Sequence, residues 1–190
     1  MVMNNDAKRR RLVAVAQDVF GRHGYRRVNM KDIAAAAGIS RPGLYLYFKT
    51  KEEIFSAAVL ALAESSITRI VEGLPERSST QEKLRFAFEI WTVEIFELTL
   101  KSPEAKELSE CSYDFARHAL DEGYRQFEAV LASILKAHAK SSPSKLALPA
   151  DRIAHLFGSS ARGFKLVAQN AQQLRRMIHD LLRLTLPEVR

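Results

Sequence analysis

The stretch from Met30 to Phe48 restricts the fold of this chain more than any other segment. It contains two short runs with helical spacing, separated by Gly38, a residue type that readily adopts the left-handed backbone of a tight turn. Asn29 and Ser40 stand where the two runs begin, and both residue types are common helix N-caps. The pattern therefore predicts two short helices joined by a tight turn, the first ended by Gly38 and the second continuing to about Phe48.

Apolar and small residues within this stretch are spaced so that the two helices can cross at a fixed angle. Ala34 is small enough for close helix approach, and a preceding helix from about Asp6 to His23 supplies a third leg. The residues expected to point inward are Ile33, Ala37, Ile39 and Leu44. A rigid three-helix unit of this kind can present its last helix to the major groove of DNA.

The outward side of that last helix carries side chains suited to DNA. Arg41 can bind a guanine edge through two hydrogen bonds, and Gly43 allows the backbone to approach the bases. Tyr45, Tyr47, Lys49 and Lys51 are suited to phosphate contacts, and an N-terminal basic arm can add others. The predicted DNA-binding residues are Lys8, Arg9, Arg10, Asn29, Ser40, Arg41, Pro42, Gly43, Tyr45, Leu46, Tyr47, Lys49 and Lys51. The alternative is a plain helical hairpin whose tyrosines are core residues.

Charge is concentrated at the N-terminal end of the chain. The net charge is +7; residues 1–50 hold ten Lys and Arg against three Asp, whereas the two signs balance over residues 51–190. A basic module on a neutral body is typical of a protein that binds a polyanion. A solvated basic arm without a partner is the alternative.

Three blocks in this region resemble the DNA-binding signature of the TetR (tetracycline-repressor-like) family: Phe20-Gly-Arg-His-Gly-Tyr25, Ile33-Ala-Ala-Ala-Ala-Gly-Ile-Ser40 and Leu44-Tyr-Leu-Tyr-Phe-Lys-Thr-Lys-Glu52. The resemblance covers about residues 9–60. Val28, Pro42 and Leu46 stand where the family commonly has Thr, Gly and His. These differences remove a hydroxyl, a backbone donor and an imidazole from the face expected to meet DNA.

The rest of the chain is predicted to be helical because Gly and Pro are few and apolar residues recur at three- and four-residue spacing. The expected helices run over about Thr50–Val71, Leu84–Leu100, Ser109–Lys140, Ala150–Gln169 and Ala171–Leu186. Ser79 or Thr80 is the expected cap before the second of these, a break within the third stays open, and Ser102-Pro103 resembles a helix start. The predicted fold is all-α, with a helix-turn-helix domain over 1–50 and a larger helical domain over 51–190.

The resemblance implies that the larger domain dimerises through its last two helices and senses a small molecule. Apolar stripes on these helices are consistent with a four-helix interface, whose predicted members are Leu156, Phe157, Phe164, Leu174, Ile178 and Leu181. The alternative is that both stripes pack within their own subunit.

The helix from Leu84 to Leu100 is apolar nearly all round, which favours a central position and makes it a natural pocket wall. The predicted ligand-pocket residues are Phe88, Trp91, Ile95, Tyr113, Phe115, Tyr124 and Phe127. Aromatic residues at helical spacing are more often plain core, and that alternative stays open.

Enzymatic chemistry has little support in this sequence. The five histidines are not paired at metal-ligand spacing, Cys111 is the single cysteine, and no nucleotide-binding glycine motif occurs. We therefore predict no catalytic residues, no metal and no cofactor. The longest nearly uncharged run is about half the roughly 20 residues of a membrane-spanning helix, so no membrane partner is expected and a cytoplasmic location is predicted.

The leading hypothesis is a homodimeric repressor that binds double-stranded DNA at a pseudo-palindromic operator and responds to an unknown small-molecule effector. A ligand-independent regulator or architectural DNA-binding protein is the first alternative, and a catalytic C-terminal domain is the second.

Overall fold

The computed structural model describes residues 2–109, 113–141 and 146–186. Every regular element within these ranges is helical, which confirms the prediction of an all-α fold. Cys111 and residues 142–145, part of the predicted loop from Ser141 to Pro149, lie outside the described residues.

The helices follow one another with short connections. The described ranges contain ten α-helices: α1 (Val2–His23), α2 (Met30–Ala36), α3 (Arg41–Tyr45), α4 (Lys51–Gly73), α5 (Thr80–Phe88), α6 (Ile95–Lys101), α7 (Pro103–Ser109), α8 (Arg117–Ser141), α9 (Ala150–Val167) and α10 (Ala171–Thr185). A π-helical segment, Glu89–Glu94, joins α5 to α6, and 3-10 turns occupy Leu74–Glu76 and Asp114–Ala116.

The chain divides into two compact units. Unit 1 consists of Met1–Ala63 with Leu98–Gly123, and unit 2 consists of Glu64–Glu97 with Tyr124–Arg190. Unit 1 thus takes in the predicted helix-turn-helix region together with a later segment of the chain. The predicted division into functional domains at residue 50 stays a prediction.

Local capping explains where the first helices of unit 1 begin. Asn29 and Asp32 form a reciprocal capping box at the start of α2, and the Ser40 hydroxyl accepts a hydrogen bond of 3.1 Å from the Gly43 N–H at the start of α3. The Thr50 hydroxyl likewise accepts from the first turn of α4 at 3.1 Å. These side chains satisfy amide groups that have no partner inside the helix, as the sequence predicted.

Two glycines with positive φ make the turns of unit 1. Gly24 ends α1 with a φ of 76°, and Gly38 joins α2 to α3 with a φ of 67°. At Gly24 a Cβ atom would lie 3.3 Å from atoms of Glu104 and Glu107 on α7. A larger residue there would therefore combine backbone strain with crowding.

The core of unit 1 is aromatic. The ring centroids of Phe20 and Tyr25 lie 5.0 and 4.8 Å from that of Phe55 on α4. Tyr113 lies 4.7 Å from Tyr25, and Phe115 lies 5.2 Å from it. The segment that follows α7 is therefore part of the same core as α1 and α4.

Unit 2 has its own core, formed by α5, the π-helical segment, α8, α9 and α10. Phe88, Phe127 and Phe157 are fully buried, and the ring centroid of Phe88 lies 5.5 and 5.8 Å from the other two. Trp91 stacks on Phe127 at 4.8 Å. Burial of these three phenylalanines and the tryptophan adds to the hydrophobic stabilisation of these helices.

Several predicted boundaries were wrong. The third helix ends at Tyr45 instead of Phe48, and α8 begins at Arg117 instead of about Ser109. The apolar helix from Leu84 to Leu100 is interrupted by the π-helical segment. Apolar spacing alone does not distinguish π from α hydrogen bonding, because both place apolar residues about one turn apart.

By length and composition alone, the segment Lys51–Glu76 could cross a membrane. The sequence prediction against such a segment considered only the short uncharged run within it. In the structure Ile54, Phe55, Ala58 and Val59 are buried in the core of unit 1. Apolar content along this helix is thus used in part for packing within the protein.

Candidate nucleic-acid interface

Helix α3 has one buried side and one exposed side. Leu44 and Ile33 are fully buried and fix α3 against α2, whereas the side chain of Leu46 is 78% exposed. Arg41 and Pro42 are also exposed, and Tyr45 and Tyr47 are half-buried. The exposed face of α3 consists of side chains predicted to meet DNA, held in place by an apolar underside.

Arg41 lies on this face with its charge unneutralised. Its Nη2 donates a hydrogen bond of 3.2 Å to the Tyr45 hydroxyl, and the guanidinium carbon is 5.5 Å from the centroid of the Tyr45 ring. Arg41 forms no salt bridge with a described residue. The Tyr45 ring supports the guanidinium while leaving its other donors free for a partner.

The first turn of α3 brings the backbone close to the surface. A Cβ atom on Gly43 would lie 3.1 Å from the Ser40 hydroxyl oxygen, which is the oxygen that caps the helix. Glycine at this position therefore preserves the cap and leaves the backbone of α3 accessible. Ser40 is committed to the cap as an acceptor, and its own O–H remains available as a donor.

The basic cluster Lys8 to Arg11 lies within α1, in helical backbone and not in an extended arm. Lys8 Nζ is 5.5 Å from the centroid of the Tyr47 ring, and the Arg9 guanidinium carbon is 4.7 Å from that of Phe48. Both cations are exposed. These contacts bring the positive charge of α1 beside the chain that follows α3.

Lys49 and Lys51 have different environments although both were predicted to contact phosphate. Lys49 is exposed, and its Nζ donates to the Tyr45 carbonyl at 3.2 Å. Lys51 Nζ donates to the carbonyls of Tyr25 and Val28, each at 3.0 Å, and lies 4.0 Å from the centroid of the Tyr25 ring. The ammonium of Lys51 therefore holds the connection between α1 and α2 in place.

The Tyr25 side chain joins this connection to α4. Its hydroxyl donates to Glu52 Oε1 at 2.8 Å, and its backbone N–H donates to Glu107 Oε2 at 2.7 Å. Burial, followed by the hydrogen bond to Glu52, raises the pKa of the Tyr25 hydroxyl. The pKa of Glu52 is lowered, first by its own backbone N–H and then by the Tyr25 hydroxyl.

Two observations change the sequence interpretation. Val28 is 3% exposed and belongs to the core of unit 1, so the expectation that it lies on the face meeting DNA was wrong. Asn29 is exposed and its side chain caps α2. Sequence reasoning missed Glu107, because its partner at Tyr25 is 82 residues away and no local pattern signals that contact.

The predicted pocket residues are divided between the two units. Phe88, Trp91, Tyr124 and Phe127 pack against one another in unit 2, where Ile95 is half-buried. Tyr113 and Phe115 instead stack on each other at 5.4 Å in unit 1. Their assignment to a single ligand pocket stays a prediction.

The predicted dimer residues also differ in exposure. Phe157, Leu174 and Ile178 are buried within unit 2, and their assignment to a dimer interface stays a prediction. Phe164 and Leu181 are half-buried. Leu156 is 52% exposed, and Leu166, Val167 and Leu184, which sequence reasoning missed, are also exposed.

No group of three or more His, Cys, Asp or Glu side chains placed to hold a metal ion occurs in the described part of the chain. The surface of unit 1 that was predicted to meet DNA carries cations, hydroxyls and an exposed leucine. Such a surface can bind phosphate and base edges.

Residues 12–58 match the family model described as bacterial regulatory proteins, tetR family. The transcriptional activator FasR of Mycolicibacterium smegmatis is 31% identical over 44% of this chain and 38% of its own length. The HTH-type transcriptional regulator YfiR of Bacillus subtilis is 26% identical over 70% of this chain and 75% of its own length. The chain therefore spans well under half of FasR, but most of YfiR.

Solved structures share the fold over nearly the whole chain. The fatty acid degradation regulator FadR of Bacillus halodurans superposes with a TM-score of 0.70 at 16% identity, covering 92% of this chain and 94% of that one. FadR of Bacillus subtilis, solved in complex with stearoyl-CoA, gives 0.66 at 21% identity, covering 95% and 98%.

These relatives and neighbours are regulators of transcription and not enzymes, in agreement with the prediction that this chain is not an enzyme. Residues 12–58, with their capped helix-turn-helix, are thus similar to the DNA-binding region of tetR-family regulatory proteins, within an all-α fold that the solved structures share.

Proposed function

We propose that this regulator is a cytoplasmic homodimer that represses transcription by binding a pseudo-palindromic operator, and that a small-molecule effector weakens this binding. The observation that carries the proposal is the exposed face of α3, where Arg41 is held on Tyr45 with its charge unneutralised. A surface cation without a carboxylate partner is available to DNA at no cost of breaking an ion pair.

On this proposal the N-terminal part of α3 enters the major groove. Arg41 leaves the Tyr45 hydroxyl and donates two hydrogen bonds to a guanine edge, and exposed Leu46 contacts a thymine methyl group. Lys49, Lys8 and Arg9 bind phosphates on either side and set the position of the helix without reading sequence.

The homodimer is proposed to form through the exposed apolar residues of α9 and α10. Leu156, Leu166 and Leu184 are 52%, 83% and 85% exposed. A homodimer supplies the two copies of α3 that the two half-sites of a pseudo-palindromic operator require. Leu166→Asp and Leu184→Asp are expected to give a monomer in light scattering, whereas Leu98→Asp, at an exposed leucine of unit 1, should leave the mass unchanged.

The effector is proposed to bind unit 2. FadR of Bacillus subtilis, which shares the fold, was solved with stearoyl-CoA. For induction the ligand must bind the DNA-incompetent state more tightly than the competent one, because equal affinity shifts no equilibrium. Helix α4 continues from unit 1 into unit 2 and is the proposed connection between effector and DNA site.

The decisive experiment measures binding of the purified protein to its own upstream DNA and to a scrambled duplex over a range of salt concentrations. Preference for the upstream DNA, with a steep salt dependence and loss of the preference in Arg41→Ala, is the expected result. Lys136→Ala is the matched control, because Lys136 is an exposed cation of unit 2 already paired with Asp151 at 2.7 Å. Equal, weak binding to both duplexes would contradict specific regulation from that site.

A ligand-independent regulator or architectural DNA-binding protein is the second candidate. The packing of Phe88, Trp91, Tyr124 and Phe127 favours it, because these rings fill the region where a pocket was predicted. FasR is an activator by name, so a reporter gene is used to test separately whether this protein represses or activates transcription. Operator affinity that no bound ligand alters would support this second candidate.

A further inference from the structure

A cavity of about 240 Å³ opens on the side of unit 2 where α5 and the π-helical segment meet α10. Its apolar wall is formed by Phe88, Val93 and Ile178, which are all buried. Phe88 is shared with the predicted pocket set; the other lining residues are new. The cavity therefore presents an apolar surface that a ligand carbon chain can cover.

The charged groups around this cavity are not equivalent. The Nε of Arg175 donates to Glu89 Oε2 at 3.0 Å, and its Nη2 donates to Glu97 Oε1 at 2.9 Å. These two carboxylates already neutralise Arg175. The ring Nδ1 of His179 lies 3.4 Å from a carboxylate oxygen of Asp180.

Arg85 is the exception among the charged lining residues. Its side chain is exposed and forms no salt bridge or hydrogen bond with any residue in the described ranges. It precedes Phe88 by almost one helical turn, so the guanidinium and the Phe88 ring project from the same side of α5. An unneutralised cation thus borders an apolar cavity.

The backbone beside the cavity is unusual. Glu89 and Val93 belong to the π-helical segment, a conformation that recurs at functional sites. The hydroxyl of Thr92 in the same segment is buried and has no hydrogen-bond partner in the described part of the chain. The π-helical backbone and the unpaired Thr92 hydroxyl both lower the stability of the fold, so packing alone does not explain them.

We propose that this cavity binds a small amphipathic anion, a monocarboxylate whose apolar chain lies against Phe88, Val93 and Ile178 and whose carboxylate pairs with Arg85. Its volume is below the roughly 300–1,000 Å³ of pockets that enclose drug-sized ligands, so a short chain fits it best. The proposal deepens the function given above, because this ligand class becomes the candidate effector.

The test is isothermal titration of the full chain, without DNA, using octanoate and the uncharged 1-octanol as probes. We expect saturable binding of octanoate that is at least about tenfold tighter than that of 1-octanol, since a charged acceptor strengthens the hydrogen bond from arginine. Equal affinity for the two probes, or no saturable binding of octanoate, overturns the proposal.

Two exposed arginines provide a matched pair of variants. Arg85→Gln is expected to weaken octanoate binding about tenfold or more while leaving 1-octanol unchanged. Arg176→Gln, on the exposed side of α10 and outside the cavity lining, is expected to have no effect. Arg85→Glu should lose octanoate and bind octylammonium instead, a gain that general destabilisation cannot produce. Octanoate binding that survives in Arg85→Glu overturns the assigned anchor.

Failure of this site and failure of the proposed function give different results. If octanoate binds through Arg85 but leaves operator affinity unchanged, the site stands and octanoate is excluded as an inducer. If octanoate does not bind while the protein still prefers its operator, the cavity proposal is overturned and DNA recognition is unaffected.

Discussion

Three cations of the proposed DNA-binding face of unit 1 and two arginines of unit 2 are held in different ways. In unit 1, Lys8, Arg9 and Arg41 lie over aromatic rings and form no salt bridge with a described residue. In unit 2, Arg69 and Arg175 are held by carboxylates at 2.8 and 2.9 Å. Three cations of the basic N-terminal region thus keep their charge uncompensated by a described carboxylate.

This difference separates two uses of arginine. An aromatic ring orients a cation and leaves its charge available, whereas a carboxylate uses that charge for the stability of the fold. A polyanion can bind the first kind without displacing an ion pair. Variants that reverse or remove these charges therefore test whether the two kinds of cation differ in their effect on DNA binding and on stability.

The largest effect is expected from reversing the charge of α1. Lys8→Glu with Arg9→Glu should weaken binding to any duplex on the order of tenfold or more at low salt and reduce the salt slope by about two, because two phosphate contacts are lost. Fluorescence anisotropy across a salt series measures both values. Lys136→Glu with Lys140→Glu in unit 2 is the control; an equal loss there would mean that net charge alone matters.

Lys51 and Lys49 allow a second comparison, between a structural lysine and an exposed lysine of unit 1. Lys51→Met should lower the free energy of unfolding by about 1–2 kcal/mol, because two carbonyls lose a charged donor. Lys49→Met should leave stability nearly unchanged and reduce the salt slope of DNA binding by about one. Urea denaturation and DNA titration of both variants check this. A reduced salt slope for Lys51→Met, at unchanged stability, would instead support the prediction that Lys51 contacts a DNA phosphate.

Arg175→Ala removes the ion pairs that join α10 to Glu89 and Glu97. Because all three side chains are between 35% and 45% exposed, the expected loss is only about 1 kcal/mol of unfolding free energy. DNA affinity per folded molecule should stay the same. A fall in DNA affinity without a fall in stability would contradict the purely structural role of this arginine.

The smallest effect concerns pH. The pKa of Glu52 is lowered in the folded state from its usual 4.5, so its contribution to stability is present above that value and is lost as the pH falls through the folded-state pKa. Glu52→Gln should therefore flatten the loss of stability between about pH 5 and about pH 3. Denaturation at several pH values measures this slope. An unchanged slope would show that Glu52 does not contribute.

The recognition unit was largely predictable because its determinants are local. Asn29, Ser40, Thr50 and the two positive-φ glycines act on residues within a few positions, so their pattern is visible in the sequence. The end of α3 was less predictable, because the turn after Tyr45 depends on how Leu44 and Phe48 pack.

The candidate sites of unit 2 could not be assigned in the same way. Phe157, Leu174 and Ile178 form an apolar pattern that fits a subunit interface and a core equally well, and only the packed structure shows that they are buried. The same holds for Tyr113 and Phe115, whose aromatic spacing gave no sign that they would pack on Tyr25 in unit 1.

The sequence by itself determined the all-α class, the helix-turn-helix and the N-terminal excess of charge, because capping, turn geometry and periodicity act over short distances. Tertiary structure alone decided which side chains pair across long stretches of the chain. Arg175 meets Glu89 across 86 residues, and Tyr25 meets Glu107 across 82. Such pairs form only when packing brings distant helices together, so neither residue carries a local signal of its partner.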